Sequence, residues 1–347
     1  MSDLLNKTLA AITPVNEAAA QAAQERLDGL LKPPGSLGKL EEIAVRLAGI
    51  YGEPLPRPRP KAIIMMAADN GVYEEGYHGY PQDVTRLLAE LSGDGLTGVA
   101  VLAKQADSRL VVVDIGLKGK TAGAYIWPRK IRPGTANIAR GPAMHKEEAL
   151  RAVEVGIETV YALAAEGIGV FGTGEAGLCN TTTSAAVLCA LTGERPEQIV
   201  GRGTGQDDAS FGLKLEAVKK SLEINQPNSK DALDVLAKVG GLDIAGLAGC
   251  YLAAAALKKP IVIDGFIAGV AALAAIALHP VSAQYMLPSH LSAEKGARIV
   301  CDYLRMEPLL YLQMCLGEGT GAALAFHLVD AACLIINEMG LLADLSK

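Results

Sequence analysis

The stretch Gly172-Thr-Gly-Glu-Ala-Gly-Leu-Cys-Asn-Thr-Thr-Thr-Ser184 decides the fold of this chain. It follows the apolar run Ile168–Phe171, which reads as a buried strand, and leads into Ala185–Leu191, which reads as a helix. Residues 172–177 match G-x-G-x-x-G in a strand–turn–helix setting, where such a loop meets a phosphate. Glu175 argues against a dinucleotide, because its carboxylate occupies the place of the pyrophosphate and would repel it. The stretch predicts a site that holds an anion and also contains a working carboxylate.

Outward from this point, short apolar runs alternate with helical patterns. Strands are expected at 62–67, 110–115, 168–171, 260–263 and 283–287. Helices are expected at 39–51, 85–102 (interrupted near Gly93 and Gly95), 146–166, 181–191, 231–239, 245–257 and 266–278. Residues 3–31 carry a helical period, and the chain from Ala293 on is helical with breaks at Pro308 and Gly317–Gly321. The alternation implies an α/β fold with a doubly wound, mostly parallel sheet, and a ligand site beyond the carboxyl ends of its strands. The terminal helices lack strand partners. They predict a smaller helical domain from 1–55 plus 293–347, beside a Rossmann-like α/β domain spanning 56–292.

Composition narrows the function. Of 347 residues, 50% are apolar and 4% aromatic, so a large core of small side chains is available. The net charge is −6, and the small basic clusters Arg57–Lys61 and Arg129–Arg132 are broken by proline or lie beside it, so nucleic acid is not an expected partner. The six cysteines show neither C-x-x-C nor zinc-ligand spacing, which suits buried thiols in a reducing cytoplasm and no metal. The apolar run Phe266–Leu278 is too short to span a bilayer, and Met1–Asn6 does not read as a secretory signal.

Four further segments carry possible chemistry. Asn180, Thr181, Thr182, Thr183 and Ser184 crowd a helix start, whose free N–H groups favour an anion. Gly201-Arg-Gly-Thr-Gly205 permits close backbone approach, with Arg202 and Lys214 able to meet phosphate. Glu318, in Leu316-Gly-Glu-Gly-Thr-Gly-Ala322, is a carboxylate wrapped in glycine, either a catalytic acid or base or a solvated helix break. Ser289-His-Leu-Ser-Ala-Glu294 is either a cap at Ser292 or a wall of the site, and His290 alone decides nothing.

Together with Lys32-Pro-Pro-Gly-Ser-Leu-Gly-Lys-Leu-Glu41, Asp69-x-Gly71-Val72, Tyr80-Pro-Gln-x-Val-Thr85, Gly240-Gly241 with Ile244-Ala245, and Asp264-Gly265, these segments resemble the nicotinate-nucleotide–dimethylbenzimidazole phosphoribosyltransferase family over nearly the whole chain. The resemblance implies transfer of 5-phosphoribose from nicotinate mononucleotide to an aromatic acceptor, with inversion at C1′ and neither metal nor cofactor. It makes Glu318 the general base and Glu175 the second carboxylate near the reacting centre. The phosphate falls to the backbone after Glu175, to Gly203, Thr204 and Gly205, and to Lys214. The remaining substrate contacts implied are Gly174, Ala176, Gly177, Leu178, Asn180 and Thr181, together with Asp264, Ser292, Tyr80, Gln82 and Leu316.

The chain departs from the family pattern where Asn70 replaces histidine, Leu291 and Lys295 replace arginine and proline, and Tyr311 and Cys315 replace aspartate and arginine. These changes bear on the acceptor. The favoured acceptor is 5,6-dimethylbenzimidazole in a homodimer; the rival is phenol or p-cresol in a heterodimer of homologous subunits. A non-catalytic subunit and a nicotinamide-dependent dehydrogenase are the other readings.

Overall fold

The computed structural model describes residues 2–123, 125–203 and 207–346. Its centre is one parallel sheet of six strands: β1 (Lys61–Ala68), β2 (Ser108–Gly116), β3 (Ile126–Pro128), β4 (Val170–Ala176), β5 (Ile261–Ile263) and β6 (Met286–Pro288). The spatial order is β3-β2-β1-β4-β5-β6. The chain leaves β1 toward one edge and returns to build the other, so the order reverses between β1 and β4, and a crevice opens there at the carboxyl ends. In register, Met66 lies beside Glu175 and Ala67 beside Ala176.

Strand β1 is apolar after Lys61 and buried along its whole length because both faces are covered. Its side chains alternate between two cores. Ile64, Met66 and Ala68 share one core with residues of the helices Lys146–Ala165, Leu242–Ala256 and Phe266–Leu278. Ile63, Met65 and Ala67 share the other core with Leu47, Val99 and Phe326, from the helices Lys39–Tyr51, Gly98–Gln105 and Thr320–Glu338. The last of these is long and apolar enough to cross a membrane by length and composition, yet it lies against β4, β5 and helix Lys39–Tyr51.

The small-residue composition has a packing reason. A Cβ on Gly156 would lie 1.9 Å from the Gly246 carbonyl, and one on Gly249 would lie 1.9 Å from that of Val153. Helices Lys146–Ala165 and Leu242–Ala256 therefore touch backbone to backbone.

Three expectations change. The segment Gly172–Ala176 is strand rather than loop, and no glycine in it has positive φ. Its glycines make room: a Cβ on Gly172 would lie 3.0 Å from both Ala322 and Phe326, and one on Gly174 would lie 2.0 Å from the Glu318 carbonyl. Of the strand expected at 283–287, residues 283–285 belong to the 3-10 turn Pro280–Tyr285, and only Met286 and Leu287 are strand, in β6. Strand β3 and helix Asp208–Asn225, which carries Lys214, have no counterpart in the sequence reading. Both have weak local patterns, the first being three residues long and the second weakly amphipathic.

Candidate active site

The crevice at the β1/β4 reversal is a pocket whose walls come from seven segments separated in sequence. Glu175, Ala176, Gly177, Leu178, Asn180 and Thr181 form one wall, and Leu316 to Glu318 face them. Gly203 and Lys214 close one end, and Tyr77, His78, Tyr80, Thr85 and Leu88 another; Gly265, Phe266, His290, Ser292 and Glu294 complete the wall.

The 316–319 loop is held in an unusual shape. Gly317, Glu318 and Gly319 have φ of +82°, +63° and +106°. Such a conformation costs a non-glycine residue on the order of 1–3 kcal/mol and persists only where neighbours enforce it. Asp264, at the end of β5, does so. Its Oδ2 accepts the Gly319 N–H at 3.0 Å, and its Oδ1 accepts those of Gly321 and Ala322 at 2.7 and 3.2 Å. Burial lifts the Asp264 carboxyl to about 7 against the pull of those three donors. Asp264 thus stands behind the loop and shapes it.

Glu318 is 7% exposed, and its Oε2 accepts the Val99 N–H at 3.2 Å. That amide belongs to the first turn of helix Gly98–Gln105, where donors are unpaired and the dipole favours a carboxylate. Burial still raises the carboxyl above the usual glutamate range. Glu175 is raised further, first by burial and then by the nearby Asp243 and Asp264 carboxylates. It accepts a hydrogen bond from the Asn180 side-chain amide and one from the Glu318 backbone. Asp243, buried behind it, is lifted by burial to about 6. A cationic ligand would restore charge to this group of carboxylates.

The other end is built for an anion. Helix Asn180–Thr192 begins at Cys179, whose φ is +67° and which gives no side-chain cap. Lys214 is 1% exposed, and its ammonium donates to Thr181 Oγ1 at 2.9 Å. Burial lowers its pKa, as expected for a cation waiting for an anion. Gly203, with φ +58°, lies beside it: a Cβ there would be 3.3 Å from Nζ. Thr204 and Gly205 lie outside the described residues.

Two of the sequence motifs act from behind. Asp69 accepts the Lys118 N–H at 2.7 Å and lies beside the Thr85 hydroxyl, whose oxygen accepts the Leu178 N–H at 3.1 Å. Asn70 donates to the Leu178 carbonyl at 3.3 Å. Both sides of the Leu178 backbone are thereby fixed. Gln82 lies farther back, its Oε1 accepting from Lys118 at 3.2 Å, and Gly174 is packed under Glu318. Tyr80, Leu316 and Ser292 line the pocket. Sequence reasoning missed Tyr77, Leu88, Phe266 and Ile267, which are apolar or aromatic and carry no motif of their own. Tyr77 donates to Thr182 Oγ1 at 2.7 Å, tying this wall to the helix start.

Of the departures, Cys315 lines the pocket, whereas Tyr311 is 57% exposed and bonds Glu307, and Lys295 bonds the Glu197 carbonyl. Among the described residues, no group of three or more His, Cys, Asp and Glu side chains is placed to hold a metal.

A family model described as "Phosphoribosyltransferase" matches residues 12–345. The nicotinate-nucleotide–dimethylbenzimidazole phosphoribosyltransferase of Acetivibrio thermocellus is 48% identical over 98% of this chain and 97% of its own length. The chain belongs to this phosphoribosyltransferase family. The enzyme of the same name from Ruminiclostridium cellulolyticum is 49% identical, covering 96% of this chain and 95% of the relative. Among solved structures, CobT from Thermus thermophilus superposes with a TM-score of 0.91 at 39% identity, over 95% of this chain and 98% of that one. Family membership makes the chain an enzyme of the pentosyltransferase class and removes the dehydrogenase reading.

Proposed function

We propose that the chain transfers 5-phosphoribose from nicotinate mononucleotide to 5,6-dimethylbenzimidazole, giving the α-riboside 5′-phosphate and nicotinate. The observation that carries this reading is the meeting of Glu318 and Glu175 in one pocket whose far end offers Lys214 and an uncapped helix start. In this reading the nucleotide lies with its phosphate at Lys214 and its C1′ near the two carboxylates, all three of which line the pocket.

The chemistry follows from charge. In the nucleotide the nicotinate ring nitrogen is cationic, and Glu175 in its ionised form stabilises that cation. The acceptor nitrogen attacks C1′ from the opposite face, the C1′–N bond to nicotinate breaks, and its electron pair neutralises the pyridine nitrogen. The proton on the acceptor's other ring nitrogen passes to Glu318, so no charge is left on the product ring. The rest of the work is positioning, which the loop held by Asp264 supplies.

The helical segments 1–55 and 293–347, in this reading, bring Glu318, while 56–292 brings Glu175 and the phosphate cradle. A homodimer in the cytoplasm is the working form, and a heterodimer with a homologous subunit is the alternative that goes with a phenolic acceptor. Purified chain incubated with nicotinate mononucleotide and a panel of acceptors tests the reading. Nicotinate release with dimethylbenzimidazole supports it, release only with phenol or p-cresol moves the acceptor, and no release with any of them overturns it.

A further inference from the structure

The loop after β6 holds a histidine whose protonation pattern can be read from its neighbours. The Ser289 hydroxyl donates to the Asp264 carbonyl at 2.7 Å and lies 3.2 Å from His290 Nδ1. A hydroxyl has one proton. With that proton spent on the Asp264 carbonyl, the Ser289 oxygen can only accept from the ring, so Nδ1 carries the hydrogen. Burial lowers the imidazole pKa and favours the neutral ring. Nε2 is then a bare lone pair.

The ring is also held in place. A Cβ on Gly321 would lie 1.9 Å from Nδ1, so the first turn of helix Thr320–Glu338 leaves room for the imidazole. The opposite edge turns toward Gly265 in the pocket wall: Cε1 and Nε2 are 3.4 and 3.6 Å from where a Cβ on Gly265 would be. No hydrogen bond to Nε2 is present among the described residues.

We propose that His290 Nε2 accepts a hydrogen bond from a ribose hydroxyl of the bound nucleotide, and that Ser289 is the positioning residue that sets the tautomer needed for it. This inference rests on the function proposed above, because it takes nicotinate mononucleotide as the occupant. That molecule has few donors. Its phosphate oxygens and carboxylate accept, its pyridinium ring has no N–H, and only the 2′ and 3′ hydroxyls donate. His290 lines the same pocket as Glu318: it lies with Ser292 beside Gly265, and its other edge packs on Gly321, three residues after Glu318. The same Asp264 that shapes the Glu318 loop with its carboxylate anchors Ser289 with its carbonyl, so base and ribose contact share one support.

The test is equilibrium binding, without acceptor, of nicotinate mononucleotide and its 2′-deoxy and 3′-deoxy analogues to the full chain and to His290→Phe, His290→Gln and Ser289→Ala. Loss of one such bond is expected to weaken nicotinate mononucleotide binding to His290→Phe about tenfold. The analogue lacking the partner hydroxyl should bind wild type and His290→Phe alike, and His290→Gln, which keeps an acceptor near the ε position, should recover most of the affinity. Equal losses for the nucleotide and both analogues would mean that the ring only supports the fold, and would overturn the inference while leaving the reaction intact. Failure of wild type to bind the nucleotide at all would remove the proposed function and this inference with it. Melting temperatures of the variants separate loss of contact from loss of structure.

Discussion

Gly174 in β4 lies directly beneath Glu318: a Cβ added there would sit 2.0 Å from the Glu318 carbonyl oxygen and 2.5 Å from its carbon. The contact is reciprocated one residue away, since a Cβ on Gly317 would lie 2.3 Å from Glu175 Oε1. The two glutamates that each follow a glycine and stand out in the sequence are thus the two halves of one contact. The conformation of each depends on the absence of a side chain on the other's neighbour.

Gly174→Ala is therefore expected to displace the Glu318 loop. A misplacement of about 1 Å at a reacting group costs on the order of 10²-fold in rate. Turnover should fall by at least about that factor, whereas binding of nicotinate mononucleotide, governed by the far end of the pocket, should change much less. An unchanged turnover number would show that the loop tolerates the shift.

Glu318→Gln should reduce nicotinate release by roughly 10²–10⁴-fold, the scale of a lost general base. The pH profile of the wild type carries the same information. Burial raises the Glu318 carboxyl, and the base must be ionised to act. The rate should fall as pH drops through that raised value, and the part of the acid limb that Glu318 sets should disappear in the variant, leaving the part set by Glu175. An acid limb retained unchanged in Glu318→Gln would assign it to another group.

Asp264→Ala removes the acceptor of three buried N–H groups, those of Gly319, Gly321 and Ala322. Each buried donor left unsatisfied costs about 1–3 kcal/mol, and partial relaxation of the loop leaves a net loss of about 3 kcal/mol. Chemical denaturation should show this as a lower midpoint, accompanied by loss of turnover. A second signature is the pH dependence of stability. The folded carboxyl, at about 7, lies above its unfolded value near 3.8. The folded state therefore holds an extra proton between those values, and this contribution to stability is lost as pH rises from about 4 to 7. Titration of stability in the wild type and the variant should differ by that slope.

Lys214→Met should weaken binding of nicotinate mononucleotide by roughly 10–100-fold, the range for a lost charge-assisted hydrogen bond, with a smaller effect on turnover at saturation. Because burial lowers the Lys214 pKa, wild-type affinity should begin to fall on the alkaline side earlier than an ordinary lysine would allow. Calorimetric titration across pH checks both, and an alkaline decline that persists in Lys214→Met would point elsewhere.

Much of the architecture was legible because it rests on local periodicity. Continuous apolar runs marked β1, β2 and β5, and helices Lys39–Tyr51 and Phe266–Leu278 lie where their patterns put them. The doubly wound sheet followed from the alternation of these elements. The glycine stretch was misread in its detail, because G-x-G-x-x-G looks the same whether its glycines turn the chain or let another segment approach. Here Gly172 and Gly174 are extended strand residues pressed against helix Thr320–Glu338 and the Glu318 loop. That distinction depends on residues far along the chain, beyond the reach of any local pattern.

The sequence by itself determined the fold class, the family resemblance and the presence of two conspicuous carboxylates at Glu175 and Glu318, since each is written in periodicity or in short ordered motifs. The tertiary structure alone decided how they act together. It placed β4 against the 316–319 loop, turned Asp264 into the anchor of that loop, buried Lys214 beside Thr181 on a helix that the sequence barely signals, and set the His290 ring through Ser289. Each of these depends on desolvation and on hydrogen bonds between segments far apart in the chain, quantities that exist only once the sheet has brought the segments together.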